Sequence, residues 1–291
     1  MSPRICGICP RRSPSSDVRR VPWSPRGAAP IGVFDSGLGG LTVAHEIMRQ
    51  LPAESLVYFG DTARVPYGPK SPETVRRYSR EISAFLLGEG VKAIVVACNT
   101  ATAHALPMLR DELDVPVICV VEPGARAAVR ATKSGHIGVI GTEGTIRSQA
   151  YVRAIHAEAP DVRVTALACP LLVPLVEEGW INHEASHLIA EEYLAPFAAD
   201  AIDTLVLGCT HYPLLKPLIG EIVGRSVRLI DSAEETAADT RRMLADHGIA
   251  APAGSVGRHR FLASDDPQQF LRLGRRFLGT AIDDVEIRTF G

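Results

Sequence analysis

No apolar run in this 291-residue chain approaches the roughly 20 residues that a membrane-spanning helix requires. The longest are five to nine residues and end in Gly, Cys or Pro, so the chain reads as a protein free in solution, with no membrane partner. Positive charge is no more abundant. The 31 Lys and Arg against 33 Asp and Glu leave a net charge of −2, without the basic excess that holds phosphate backbones, so nucleic acid is a poor partner. Nor do the six cysteines form a disulfide framework in a chain of this size. Cys98, Cys119, Cys169 and Cys209 lie in or at the ends of apolar runs, as reduced cytosolic thiols do, which argues for the cytoplasm.

A hydrophobic content of 46% supplies two ordinary cores. Short β-type runs (Ile31–Asp35, Leu56–Gly60, Ala93–Ala97, Val115–Val120, Ile137–Ile140, Val164–Ala168, Thr204–Leu207, Val227–Ile230 and Arg260–Leu262) alternate with helical patterns. The clearest of those helices are Leu41–Gln50, Pro72–Leu87, Thr100–Arg110, Pro123–Thr132, His183–Ala198 and Ser232–Asp246. This alternation predicts an α/β fold of mainly parallel sheets flanked by helices, with functional groups gathered at the strands' carboxyl ends. Residues 1–29 differ in kind. They carry six arginines and many Pro and Ser without a periodic apolar face, and read as a disordered extension. Its Cys6–Cys9 pair lacks the further ligands a zinc site needs.

Two segments occur twice. IGVFDSGLGGLT starts at Ile31 and IGVIGTEGTIRS at Ile137, a shift of 106, while Cys98 in AIVVACNTATA and Cys209 in DTLVLGCTHYP are shifted by 111. A shared offset reads as two homologous halves related by a pseudo-twofold, with the site in the cleft between them. The expected division is a first domain of 30–121 plus 231–291 and a second of 122–230. Each repeated cysteine ends an apolar strand and precedes residues that start helices well, and helix N-terminal amides lower a thiol's pKa. A matched pair of such groups suggests one acid and one base acting on a single atom. Cys119 sits within its strand as packing, and Pro170 deprives Cys169 of a stabilising N–H.

FDSGLGG invites a dinucleotide-binding reading, but the third glycine of that pattern falls on Thr42 and Asp35 stands where a pyrophosphate would approach. A tight turn presenting Asp35 and Ser36 to a small zwitterion fits better, the plain alternative being that Asp35 only caps the helix. The DTARVPYG loop holds Tyr67 and offers the Gly68 N–H to a carboxylate. Glu177, after the apolar turn CPLLVPLV, is either a solvated helix end or a group orienting His211 or a substrate ammonium.

GVFDSGLGGLTV, YFGDTARVPYGPKS, VVACNTAT and LGCTHYPLL occur in the order found in glutamate racemases of the cofactor-independent aspartate/glutamate racemase superfamily, which the chain resembles from about Ile31 onward. The resemblance implies that Cys98 and Cys209 transfer protons on opposite faces of the substrate α-carbon, Cys98 acting on D-glutamate. It further implies substrate contacts from Asp35, Ser36, Tyr67, Gly68, Asn99, Thr100, Thr210 and His211, with Asp35, His211 and Glu177 assisting the thiols. It implies no cofactor and no metal, a homodimer, and D-glutamate for peptidoglycan synthesis. Competing readings are a racemase for aspartate or another small amino acid, a cysteine-nucleophile amidohydrolase using His211, and a non-catalytic binding protein.

Overall fold

The computed structural model describes residues 27–278 and 282–290; residues 1–26 of the expected extension, with the Cys6–Cys9 pair, lie outside them. The described strands are β1 (Ile31–Asp35), β2 (Leu56–Gly60), β3 (Ala93–Val96), β4 (Val117–Cys119), β5 (His136–Gly141), β6 (Arg163–Ala168), β7 (Thr204–Gly208), β8 (Arg228–Asp231), β9 (His259–Ala263) and β10 (Glu286–Ile287). They form two wholly parallel sheets, ordered β10-β9-β2-β1-β3-β4 and β6-β5-β7-β8. The second order repeats β2-β1-β3-β4 of the first, so the duplicated sequence has a duplicated topology. β1 and β5 occupy equivalent central places, as do β3 and β7.

The helices are α1 (Leu41–Gln50), α2 (Pro72–Gly88), α3 (Asn99–Glu112), α4 (Val121–Ala131), α5 (Glu143–Arg147), α6 (Ala150–Glu158), α7 (Leu172–Glu177), α8 (Glu184–Asp200), α9 (Lys216–Val223), α10 (Ser232–Asp246) and α11 (Pro267–Leu278). None of the described helices is long and apolar enough to cross a membrane. Local chemistry fixes many starts: Ser71 Oγ accepts the Thr74 N–H at 3.2 Å ahead of Pro72, and Asp231 accepts the Ala233 N–H at 2.9 Å.

Helices on both faces explain why β1, β2, β3, β5 and β7 are buried along their whole length and read as unbroken apolar runs. Phe34 packs on one side of the first sheet with Val57, Ile82 and Leu86. Ile31 and Val33 point the other way, into a core that also contains Ile137 and Leu205 of the second sheet. After β8 the chain returns: α10 packs against both α1 and α4, β9 pairs with β2 and β10 with β9, and α11 lies on α1.

Three local expectations are corrected. β4 is shorter than Val115–Val120 because Pro116 has no N–H for the ladder and Val120 already begins the bend into α4. The CPLLVPLV segment is the short helix α7 rather than a turn, its Pro174 falling in the first turn where no intrahelical N–H is required. The amphipathic α11 and the helix α6 went unread: α6 follows Gln149 with no side-chain cap, whereas α11 does carry a start signal, Asp266 ahead of Pro267 accepting the Gln269 N–H at 2.8 Å.

Candidate active site

Cys98 follows β3 and is the N-cap of α3, its Sγ accepting the Ala101 N–H at 3.4 Å. Cys209 follows β7, the equivalent strand, but no α-helix starts there. Pro213 and Pro217 each open a new helical segment, so a 3-10 turn (Tyr212–Leu215) intervenes before α9. The helix-start amides expected at both thiols therefore back only Cys98. Cys209 instead has the His211 ring beside it, Nδ1 to Sγ 3.8 Å.

The expected lowering of the Cys98 pKa is also reversed. Burial pushes the thiol up to about 12, and the Asp35 carboxylate adds to this; the Ala101 amide and the Ser36 hydroxyl act in the opposite direction without offsetting it. Helix amides stabilise a thiolate, but an enclosed sulfur loses more by leaving water.

His211 is almost wholly buried, yet its two ring nitrogens face acceptors: Nδ1 the Cys209 sulfur, and Nε2 the Glu177 Oε1 at 3.1 Å. Burial alone would lower its pKa, but the hydrogen bonds to Cys209 and Glu177 outweigh it and raise the imidazolium to about 10. Glu177, only partly exposed, lies with its carboxylate against the His211 ring. Asp35 is fully buried and its pKa is raised by burial, partly countered by His211 and by the amides of Gly37, Gly40 and Ser36. Its Oδ2 accepts the Gly37 N–H at 2.9 Å, and Oδ1 lies 3.5 Å from the Thr210 hydroxyl. The two sulfurs thus stand in opposite surroundings, an imidazolium beside Cys209 and a carboxylate near Cys98.

This arrangement sets a pH dependence of stability. The folded protein keeps a proton on His211 that the unfolded chain has lost, so the associated stability is complete below about 6.5 and is lost as pH rises through about 10. Cys98, Cys119 and Cys169, each pushed up to about 12 by burial, add to the decline only above about 9. Urea unfolding between about pH 6.5 and about 9 should show this fall, and Glu177→Gln should flatten it.

Ser36, Tyr67, Gly68, Cys98, Asn99, Thr100, Cys209, Thr210 and His211 line one cavity together with Val65, Pro66, Thr142 and Val173. Asp35 and Glu177 stand one layer behind it. The free space is about 20 Å³, the room of a single water. A larger groove of about 360 Å³ between α3, α4 and α6 gathers none of these residues. Among the described residues no group of three or more His, Cys, Asp or Glu could hold a metal ion.

The Asn99 Oδ1 accepts the Tyr151 hydroxyl at 2.8 Å, while its buried Nδ2 has no partner in the protein. A buried amide donor left open is costly unless something arrives to accept from it. Tyr67 spends its hydroxyl on Asp61, which also accepts from Ser264 at 2.9 Å and Arg64 at 2.7 Å, so it presents ring and backbone to the cavity. The Gly68 carbonyl accepts the Gly144 N–H at 3.0 Å, and a Cβ on Gly68 would come within 2.9 Å of the Thr142 Cβ. Thr142 caps α5 and its Oγ1 lies 2.8 Å from Thr100 Oγ1. It was missed from the sequence although the repeat marks it, because a shift of 106 places it on Ser36, hydroxyl for hydroxyl.

The Asp/Glu/Hydantoin racemase family matches residues 31–240. A glutamate racemase of Geobacter metallireducens is 55% identical over 265 residues, covering 91% of this chain and 96% of that protein. Among solved structures, a glutamate racemase isoform of Bacillus anthracis superposes with a TM-score of 0.86 at 43% identity, covering 91% of this chain and 98% of the other. The Francisella tularensis glutamate racemase in complex with D-glutamate gives 0.85 at 38% identity, with coverages of 90% and 98%. With two α/β sheets of one topology facing a cysteine-lined cavity, the chain belongs to the Asp/Glu/Hydantoin racemase family and groups within it with the glutamate racemases.

Proposed function

We propose that this chain interconverts L- and D-glutamate, one cysteine taking the α-proton from one face while the other returns a proton to the opposite face. The observation that carries the reading is that Cys98 and Cys209, at the ends of equivalent strands of two sheets, line the same small cavity. One C–H bond breaks and one forms, with no net oxidation; a thiolate becomes a thiol on one side as a thiol becomes a thiolate on the other. Between the two transfers the electron pair is carried by the substrate's carboxylate, which gains negative charge. The open Asn99 Nδ2 and the hydroxyls of Thr100 and Thr210 are donors suited to that charge. His211, held by Glu177, serves the Cys209 side, and Asp35, beneath Ser36, serves the Cys98 side. Ser36, Tyr67 and Gly68 close over the substrate from the first sheet.

The product would supply D-glutamate to peptidoglycan synthesis. Four free thiols among the described residues fit a reducing cytoplasm. The exposed Leu171, Trp180 and Leu188, around α7 and α8, offer apolar surface of the kind a homodimer buries.

Substrate choice is tested by racemisation of each candidate amino acid. One methylene in a fitted pocket changes kcat/KM by about 10- to 200-fold, so glutamate should exceed aspartate by at least about tenfold. Equal values would move the reading to a racemase of broad specificity, and ammonia release from an amide substrate to the hydrolase.

Gly39 gives a sharper check on the geometry. A Cβ there would lie 2.2 Å from Thr210 Oγ1 and 2.6 Å from His211 Nδ1, so Gly39→Ala must displace both groups. Misplacement by about 1 Å costs up to about 10²-fold in rate. Racemisation should fall by about that factor, with circular dichroism unchanged.

A further inference from the structure

The C-terminal helix reaches both sides of the cavity. Near its start the Phe270 ring packs on Tyr58 with centroids 6.0 Å apart, and the Tyr58 hydroxyl donates to the Gly37 carbonyl at 2.8 Å, in the turn that holds Asp35. Seven residues on, and therefore on nearly the same helix face, Phe277 meets the His211 ring at 85° with centroids 5.6 Å apart. Next to it the Arg276 guanidinium lies across Gly179, two residues after Glu177; a Cβ on Gly179 would overlap it.

The two acceptors of His211 bond to opposite ends of its ring, Nδ1 to Cys209 and Nε2 to Glu177. The ring can pivot only about its Cα–Cβ and Cβ–Cγ bonds, and either pivot carries the nitrogens off their acceptors. The sulfur contact is long at 3.8 Å, and a weak hydrogen bond falls off steeply as its angle worsens. A phenyl ring packed perpendicular to the imidazole blocks the pivot and keeps water from that side. Phe277 is itself buried and held by a helix anchored on the first sheet.

We infer that Phe277 is a positioning residue for proton transfer at Cys209, acting through the orientation of His211. The inference rests on the two-cysteine reading above. It assigns a role to a segment outside the repeats and ties the chain's last helix to one of the two proton-transfer steps.

The test is kinetic. Phe277→Leu and Phe277→Met keep apolar volume and lose the ring, and whichever folds to the wild-type thermal midpoint within a few degrees is used. An aromatic edge contact is worth about threefold to tenfold when converted to a rate. We expect kcat/KM to fall by about that factor, equally for both enantiomers, because the equilibrium constant of a racemisation is fixed. The α-deuterium isotope effects should separate. The effect should rise for the enantiomer whose proton Cys209 removes and shrink for the other, whose slow step becomes reprotonation. Cys209→Ser, assayed in parallel, identifies that enantiomer by the same asymmetry. Rates within twofold of wild type, or a slowed enzyme whose two isotope effects remain in the wild-type ratio, would overturn the positioning role. A Cys209→Ser enzyme as active as wild type would instead remove the two-cysteine reading itself.

Discussion

Alanine at Cys98 or at Cys209 is expected to lower racemisation by at least about 10²- to 10⁴-fold, the range that a single positioned acid or base contributes. Either loss stops the reaction at the same place, because inversion needs a base on one face and an acid on the other. The two variants should still differ. In Cys98→Ala the remaining Cys209 keeps its imidazolium neighbour and can remove the proton of only one enantiomer; in Cys209→Ala the remaining Cys98 serves only the other. Any residual exchange of the α-hydrogen with solvent is therefore expected to be confined to one enantiomer, to proceed with retention, and to concern opposite enantiomers in the two variants. Loss of structure is not a competing explanation for either, since each side chain is small and replaced by a small one. Comparison with Cys119→Ala or Cys169→Ala, buried thiols outside the cavity, checks this: those variants should racemise at close to the wild-type rate.

The second large effect is expected at His211. Replacement by Asn removes the cation beside Cys209 and leaves Glu177 facing a group that cannot carry charge. Racemisation should fall by about 10²-fold or more, toward the loss at Cys209 itself, because the imidazolium acts through that sulfur. Glu177→Gln should cost less, since the contact between His211 and Cys209 survives it. The pH profile separates the two roles. In the wild type, kcat/KM should decline as pH rises through about 10, where the imidazolium is lost. Glu177→Gln removes one of the two interactions that hold the proton, so its alkaline limb should move to lower pH, and in His211→Asn that limb should be absent.

The positions of β1 to β9 were legible to within about two residues, most clearly where strands are buried on both faces and therefore apolar, whereas the two-residue exposed strand β10 went unread. The repeat revealed the paired thiols for a related reason: two similar sequences fold into two similar sheets, and residues after equivalent strands meet across the gap. The environment of each thiol was less visible. Nothing in CNTATA or CTHYPLL states how tightly the cavity closes, and it is closure that raises the Cys98 pKa against the pull of its helix amides. The prolines at 213 and 217 were in plain view, but their effect, withholding an α-helix from Cys209 and leaving His211 as its neighbour, depends on the turn they produce. Thr142 was marked by the repeat register, whereas Phe277 lies outside every repeated segment and becomes a neighbour of His211 only because the chain returns to the first sheet after β8.

The most direct test of the two-cysteine account is early-time racemisation of each glutamate enantiomer in deuterated water, following the α-position of substrate and product separately. With one cysteine on each face, the inverted product should carry deuterium from its first appearance while the remaining substrate stays protiated, and neither Cys98→Ala nor Cys209→Ala should form inverted product at more than a trace of the wild-type rate. Deuterium accumulating equally in substrate and product from the start, or a wild-type rate in either variant, would contradict that arrangement.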